Sequence, residues 1–321
     1  MKESSQVQVS SNMKSKKHSL LTSWQLDLKK HYQLYLLVLP AIIVIFIFNY
    51  IPMYGIQIAF KNFVPSLGIA GSEWVGFKWF IKFFNSPYFM QVLKNTLGLS
   101  FYQLAVGFPF PIILALVLNQ INSKKYKRVV QTVTYMPHFI SVVVVVGMLM
   151  LFTSPNKGFV GALMRGMGLE PINFMGEAAW FKTLYVFSGI WQSVGWGSII
   201  YLAALSGIDP SLYEACSIDG GSKLQKMWYI DLPSLVPTIV ILLLLRAGKL
   251  MTIGFEKVYL MQNSLNLSSS EIISTYVYKT GLLNSQYSYS AAIGLFNTVI
   301  NFILLVSLNK IARKTSDMSL W

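Results

Sequence analysis

The chain has 321 residues, of which 54% are hydrophobic and only 12% are charged, and its mean hydropathy is +0.53. A soluble domain carries roughly 25% charged residues, so this composition excludes an ordinary soluble fold and indicates a helical membrane protein. The net charge of +14 does not indicate nucleic-acid binding, because Lys and Arg beside apolar spans follow the positive bias of cytoplasmic loops.

The counts of cysteine and histidine exclude two further kinds of site. Cys216 is the single cysteine, so an intrachain disulfide is excluded. His18, His31 and His138 are the three histidines, too few for a dense Cys/His metal site, and we expect no metal or cofactor bound by this chain. Residues 1–30 are polar and carry lysines but lack the apolar core of a secretory signal, so we expect them to remain on the mature protein.

Six apolar stretches have the length of roughly 20 residues that an α-helix needs to cross the hydrocarbon core. The first looks like a peripheral helix, whereas Pro, Gly and polar residues interrupt the later ones, as expected where helices pack together or line a cavity. Pro137, for example, interrupts the third stretch. The sequence therefore predicts an all-α polytopic membrane protein with six transmembrane helices. Their ranges are 33–51, 97–118, 130–152, 184–205, 235–253 and 291–311.

The distribution of Lys and Arg orients these spans. With the N-terminus inside, more Lys and Arg fall in the cytoplasmic segments than in the extracytoplasmic ones. One short cytoplasmic loop then holds the cluster of Lys124, Lys125, Lys127 and Arg128. Both termini are therefore predicted to be cytoplasmic. The predicted regions are a cytoplasmic N-terminal tail (1–32), a peripheral first transmembrane helix (33–53), an extracytoplasmic loop (54–90), a core of five transmembrane helices (91–312) and a cytoplasmic C-terminal tail (313–321).

The cytoplasmic segment 206–234, which we call the coupling loop, is longer than a connector between two spans needs to be. Asp209 and Pro210 predict a helix start, as N-cap and first-turn residue. Asp219 and Gly220 predict the end of that helix, and a second short helix from Ser222 is expected to run to a break at residues 232–233. The loop therefore reads as a compact helix-turn-helix built to press against a partner.

The coupling loop resembles the signature of permease subunits of binding-protein-dependent ABC importers. That signature is Glu-Ala-Ala, an Asp-Gly a few residues later, and then Ile-x-Leu-Pro followed by a further Pro. Cys216 replaces the second alanine, and Met227 stands where an aromatic residue is usual. The matching residues are Glu214, Ala215, Asp219, Gly220, Ile230, Leu232, Pro233 and Pro237. Motifs elsewhere, such as residues 135–137, 190–191 and 254–256, resemble the sugar-importing branch, and within it the permeases for complex or polysaccharide-derived oligosaccharides.

This resemblance implies a type I ABC importer permease fold in a bacterial plasma membrane. It implies as partners a second homologous permease, two ATPase subunits that bind ATP and Mg, an extracytoplasmic solute-binding protein and an oligosaccharide substrate. Glu214 would contact a basic group of the ATPase, and Gly220 would allow the tight turn, although both acids of the motif also fit a solvated loop. No phosphate-binding Gly-x-x-x-x-Gly-Lys-Ser/Thr sequence is present, so this chain is predicted to be a transport subunit and not an enzyme.

Arg246 and Lys249 are formal charges inside the fifth predicted span, and their spacing of three puts them on one helix face. Facing a cavity, they would attract an acidic, uronate-containing oligosaccharide; alternatively, Lys249 snorkels outward or pairs with Glu256. His138 is read as a packing or helix-break residue. The other candidates for the translocation path, which are equally well read as packing residues, are Tyr102, Trp191, Gln192, Trp196 and Tyr201.

Two other classes compete with the importer. An ion-coupled secondary transporter would need acidic or histidine residues at mid-membrane, and the six spans contain no Asp or Glu. A membrane enzyme would need a convergent set of acid, base, nucleophile or metal ligands, and the loops offer none. Dependence of transport on ATP hydrolysis and on a separate receptor distinguishes the three.

Overall fold

The computed structural model describes residues 29–316, with side chains to Lys314. Most of the two predicted terminal tails, residues 1–32 and 313–321, and His18 lie outside this range. The chain divides into two compact units, residues 1–56 and 57–321. In the first unit, helix α1 (Tyr32–Ile45) continues into a π-helical turn (Phe46–Tyr50), and the described side chains of both are exposed and mostly apolar, as suits a helix in hydrocarbon.

The second unit is almost entirely helical. Its one sheet pairs the two-residue strands β1 (Lys61–Asn62) and β2 (Glu73–Trp74) antiparallel, with Lys61 opposite Trp74. Its α-helices, in chain order, are α2 (Gly68–Gly71), α3 (Lys78–Phe84), α4 (Pro87–Tyr102), α5 (Pro109–Asn119), α6 (Lys124–Tyr135), α7 (Val142–Phe152), α8 (Phe159–Gly166), α9 (Ala178–Leu205), α10 (Pro210–Ile218), α11 (Lys223–Lys226), α12 (Leu232–Ala247), α13 (Phe255–Met261), α14 (Leu267–Ser270), α15 (Ile273–Tyr278) and α16 (Tyr287–Ser316).

Shorter 3₁₀ and π-helical turns connect or extend several of these helices. The 3₁₀ segments are Ile51–Phe60, Pro65–Leu67 and Met136–Phe139. The π-helical turns of the second unit are Gln103–Gly107, Met227–Asp231 and Lys279–Leu283.

Among the described residues, four continuous helices are long and apolar enough to cross a membrane: Tyr32–Phe60, Pro87–Asn119, Lys223–Ala247 and Tyr287–Lys314. A fifth span is formed if Lys124–Phe139 and Val142–Phe152, which meet at an angle of 99°, count as one broken helix. Pro137, which the sequence predicts to interrupt this span, lies in the 3₁₀ turn Met136–Phe139 just before the break. Helix α9 covers the remaining predicted span, but its polar residues make its mean hydropathy lower than that of the other candidates. The count of six spans therefore stays a prediction.

The fifth predicted span differs from expectation at both ends. The predicted break at residues 232–233 is wrong, because the helix runs from Lys223 to Ala247. The π-helical turn before Pro233 explains this: the amide of Leu232 donates to Met227 O, five residues back, and this longer spacing accommodates a proline that has no N–H. At the other end α12 stops at Ala247, and residues 248–252 form a turn instead of continuing to residue 253.

Side chains of α16 and α4 hold that turn. Asn301 Nδ2 donates to Gly248 O, and its Oδ1 accepts from Met251 N at 3.1 Å. Asn297 Nδ2 donates to Met251 O at 3.0 Å, and Ser100 Oγ donates to Leu250 O. Together these bonds satisfy backbone groups of the turn, which a helix would have paired internally.

Helix α9 is central to the second unit and packs on α4, α5, α6 and α12. A Cβ on Gly195 would lie 2.1 Å from Thr134 O, so this glycine permits the close approach of α6. Three buried clusters form the core, one around Leu99 and Tyr185, one around Phe108 and Leu235, and one around Phe83 and Ile293. The first two contain residues of α9.

Candidate functional site

Helix α10 of the coupling loop begins where the sequence predicts. Asp209 is the N-cap, and its Oδ1 accepts a hydrogen bond from Ser211 N at 2.9 Å. Pro210 occupies the first turn, where its missing N–H costs nothing. The hydrogen bond from the Ser211 amide, with a contribution from its side chain, lowers the pKa of Asp209. The capping carboxylate is therefore ionised at neutral pH.

The turn after α10 is a Schellman motif. Gly220 has φ +76°, and its amide donates to Ser217 O at 3.2 Å while the amide of Gly221 donates to Cys216 O at 2.7 Å. A Cβ on Gly221 would lie 2.3 Å from Cys216 Sγ, so the second glycine is required by space rather than by φ. Ser222 and Gln225 then form a capping box that starts α11.

The outer surface of the coupling loop exposes the acidic residues of the motif beside apolar side chains. Glu214, Ala215, Asp219 and Gly220 are all exposed, and the carboxylate of Glu214 makes no hydrogen bond or ion pair within residues 29–316. Ile218, next to these acids, is 86% exposed. Exposed large apolar residues beside an unpaired acid are typical of a surface that another protein covers. The remaining motif residues, Ile230, Leu232, Pro233 and Pro237, lie at the start of α12 and are half-buried except for the exposed Pro233.

Asp231 ties this loop to the membrane helices, and the sequence reasoning missed it. Its carboxylate is fully buried and accepts hydrogen bonds from Gln120 Nε2 at 2.7 Å, from Asn119 Nδ2 at 3.2 Å and from Tyr213 OH at 2.5 Å. Burial, followed by the hydrogen bond to Asp231, raises the pKa of Tyr213 to about 12, so the phenol remains a donor at neutral pH. One carboxylate thus joins the end of α5, the middle of α10 and the start of α12.

Two of the predicted path residues lie in one polar cavity of about 470 Å³. Arg246 and Lys249 line it together with Ser100, Gln103 and Ser193, and no acidic residue of the described chain lines it. The guanidinium of Arg246 lies over the Phe108 ring, 5.7 Å from its centroid. Lys249 lies in the turn after α12, and its amide donates to Arg246 O at 3.0 Å, so both side chains line the same cavity although the helix ends at Ala247. Within the described residues Lys249 and Glu256 form no ion pair.

The other predicted path residues lie elsewhere. Trp191 lines a separate apolar cavity of about 530 Å³ between α7 and α9. Gln192 Nε2 donates to Ile140 O at 2.8 Å, and the Trp196 ring stacks on His138 with centroids 4.6 Å apart, so both brace the break between α6 and α7. Tyr201 is buried in the cluster around Phe108 and Leu235. The half-buried Tyr102 packs against the other cluster, around Leu99 and Tyr185. The structure therefore brings together Arg246 and Lys249 but not these five.

Comparisons with known proteins find relatives that match nearly the whole chain. In Bacillus subtilis (strain 168), Protein LplB is 44% identical over 299 residues, covering 93% of this chain and 94% of the relative. The polygalacturonan/rhamnogalacturonan transport system permease protein YteP of the same strain is 45% identical over 288 residues, 90% of each chain. A chain in the crystal structure of a bacterial ABC transporter that imports the acidic polysaccharide alginate superposes with a TM-score of 0.85 at 39% identity, covering 92% of this chain and 99% of that chain.

The same alginate transporter has been solved in complex with a periplasmic protein bound to an alginate pentasaccharide, with the same TM-score, identity and coverage. The family described as the inner membrane component of binding-protein-dependent transport systems matches residues 107–317, which include the whole coupling loop and the polar cavity residues of α9 and α12. The chain therefore belongs to this family, as a multi-pass ABC transporter permease.

Proposed function

We propose that this permease passes acidic oligosaccharides across the bacterial plasma membrane. The observation that carries the proposal is the cavity in which Arg246 and Lys249 lie together without an acidic residue. Relatives that transport polygalacturonan or alginate support it. The ion-coupled alternative has no support in a family of binding-protein-dependent systems.

The physical argument concerns the cost of charge in a membrane. A cation inside a bilayer is expensive unless it is paired or solvated, and such residues usually mark a substrate pathway. A guanidinium binds a carboxylate with two parallel hydrogen bonds, whereas an ammonium provides a mobile point charge. Ser100, Gln103 and Ser193 add polar groups that suit sugar hydroxyls. An anionic sugar would therefore neutralise both cations and bond to the rest of the lining.

Transport in this proposal is driven by ATP bound with Mg on two ATPase subunits, while a second homologous permease completes the path and a solute-binding protein delivers the sugar from outside. The exposed face of α10 docks on one ATPase, with both termini of the permease in the cytoplasm. Because Asp231 joins α10 to α5 and α12, movement of the docked helix would reach the helix that carries Arg246. Such rigid-body movement is what alternating access requires.

The test compares a charged probe with a neutral probe of the same shape. Binding of trigalacturonate and of its methyl ester is measured by equilibrium dialysis on the purified complex in detergent, without the binding protein, so that the selectivity of the receptor does not enter. We expect the double change Arg246→Gln and Lys249→Gln to weaken binding of the acid by on the order of tenfold or more, as loss of charge-assisted hydrogen bonds implies, and to leave the ester unchanged.

The matched control removes two charges far along the chain, by Lys310→Gln and Arg313→Gln on the exposed end of α16. This control should bind both probes like the wild type. Equal loss of the acid and the ester in the cavity variant, or no preference for the acid in the wild type, would contradict an acidic substrate.

A further inference from the structure

A further cavity, of about 390 Å³ and with a largely apolar lining, lies among α13, α15, the π-helical turn Lys279–Leu283 and α16. The cavity that Arg246 and Lys249 line is called the cationic cavity from here on. The segment after α12 separates the two cavities, since Gly254 lines the cationic cavity and Phe255 lines this one. Asn297, which lines it, also donates to Met251 O in that turn. The two cavities are therefore neighbours on either side of one short segment of chain.

Two residues that line it each carry a polar atom without a partner. Ser274 Oγ and Asn297 Oδ1 are buried, and neither forms a hydrogen bond within the described part of the chain. Buried polar side-chain atoms normally have a partner, and leaving one without costs roughly 1–3 kcal/mol. Since both residues line the same cavity, a ligand that brings hydroxyl groups would satisfy a hydroxyl and an amide acceptor at once.

The rest of the wall is uncharged and mostly aromatic or aliphatic. The rings of Phe255 and Tyr278 lie with centroids 5.0 Å apart, and Tyr287 completes this side. Among the described residues no charged side chain lines the cavity. A Cβ on Gly294 would meet no atom within 4 Å, so the α16 side is open. The volume falls at the lower end of the roughly 300–1,000 Å³ of small-molecule sites, and π-helical turns are frequent at such sites.

We propose that this cavity is a second sugar subsite, which binds an uncharged, hydroxyl-bearing ring of the transported oligosaccharide. Aromatic faces contact the apolar side of a sugar ring, while Ser274 and Asn297 bond its hydroxyls. The inference rests on the proposed function, and it adds that the substrate is read by two chemically different subsites: a cationic one for a carboxylate and a neutral one for a ring without charge.

Cysteine protection tests the two subsites separately. Cys216 is the chain's only cysteine, and Cys216→Ala restores the alanine that its family motif has at this position. In this background Ser274→Cys reports on the neutral cavity and Ser193→Cys on the cationic one. The purified complex is treated with a small methanethiosulfonate reagent, and the modification rate of this subunit is followed by mass spectrometry with trigalacturonate or its methyl ester.

We expect the ester to protect Ser274→Cys at least as well as the acid does, and the acid to protect Ser193→Cys better than the ester does. Protection should slow modification on the order of tenfold at a probe concentration roughly ten times its dissociation constant. Gly294→Leu should abolish protection of Ser274→Cys by filling the cavity. Gly147→Leu, at an exposed glycine of α7 whose Cβ would also meet no atom within 4 Å, should not.

Protection of Ser193→Cys alone would overturn the second subsite and leave the proposed function standing. Better protection by the acid than by the ester at both positions would overturn the neutral character of the second subsite. Protection at neither position would contradict the subsite and the acidic-sugar transport together.

Discussion

Asp231 is the residue through which the exposed coupling loop is joined to the interior of the protein. A buried carboxylate is tolerated only when its oxygens accept several hydrogen bonds, and here three side chains from two other helical segments supply them. Removing any one donor leaves the charge less well satisfied. Of the three donors, Tyr213 is the one that lies on α10, the helix proposed to dock on the ATPase.

Tyr213→Phe is expected to loosen α10 without changing its exposed face. The change removes the hydrogen bond from Tyr213 OH to the carboxylate, a contribution of roughly 1.5–3 kcal/mol, and the bond that this hydroxyl accepts from Asn119 Nδ2. It leaves the bonds from Asn119 and Gln120 to Asp231 in place. The midpoint of thermal unfolding of the purified complex should fall, and the amount of sugar transported per ATP hydrolysed should fall with it. Tyr229→Phe is the control, because Tyr229 is 77% exposed in the same loop and its hydroxyl forms no hydrogen bond among the described residues. Equal effects of the two variants would contradict a specific role for Tyr213.

Single residues whose partners are close in sequence can be predicted from the sequence, and residues whose partners are far away in sequence cannot. Asp209, Pro210 and Gly220 set the ends of α10 by contacts within a few residues, so the pattern alone locates them. Asp231 gives no such signal, because Gln120 is 111 positions away in the chain. The one clue is an acid between the apolar residues of Ile-x-Leu-Pro, where a solvated side chain is not expected.

At the scale of elements, the same limit explains why α12 differs from the predicted span. Prolines predict a break, but the π-helical turn before Pro233 lets the helix continue. Apolar residues up to position 253 predict a longer helix, but Asn297 and Asn301 satisfy the backbone of a turn that begins at residue 248. Arg246 and Lys249 line the same cavity, although Lys249 lies in this turn and not in α12.

The element that carries the proposed coupling is α10, and Glu214→Lys is its most direct test. In the proposed docking Glu214 makes a charge-assisted contact with a basic group of the ATPase, so reversing its charge replaces attraction by repulsion. ATPase activity of the complex in lipid, with and without the loaded receptor, should lose its receptor stimulation or the ATPase should fail to co-purify. Glu170→Lys, which reverses an exposed acid between α8 and α9, should leave stimulation intact. Stimulation that survives Glu214→Lys would contradict docking through this residue.

For the whole molecule, the sequence predicts the helical class and most of the membrane spans, because these depend on long apolar stretches. It leaves α9 ambiguous for a physical reason. The polar groups that make α9 unlike a lipid-facing span, among them Gln192, Ser193 and Ser198, lie against other helices or the cationic cavity. Hydropathy measures the cost of lipid contact, and a central helix that other helices surround does not bear that cost.

The side of the membrane on which the coupling loop lies depends on whether α9 crosses. If it does, residue 166 and residue 219 are on opposite sides, and the C-terminus is on the same side as residue 219. Alkaline phosphatase, which is active only outside the cytoplasm, is therefore expected to be active when inserted after Gly166 and inactive after Asp219 or Trp321. Green fluorescent protein at the same three positions should give the complementary pattern. Phosphatase activity at both Gly166 and Asp219 would mean that α9 does not cross, and it would remove Glu214 from the face on which an ATPase binds.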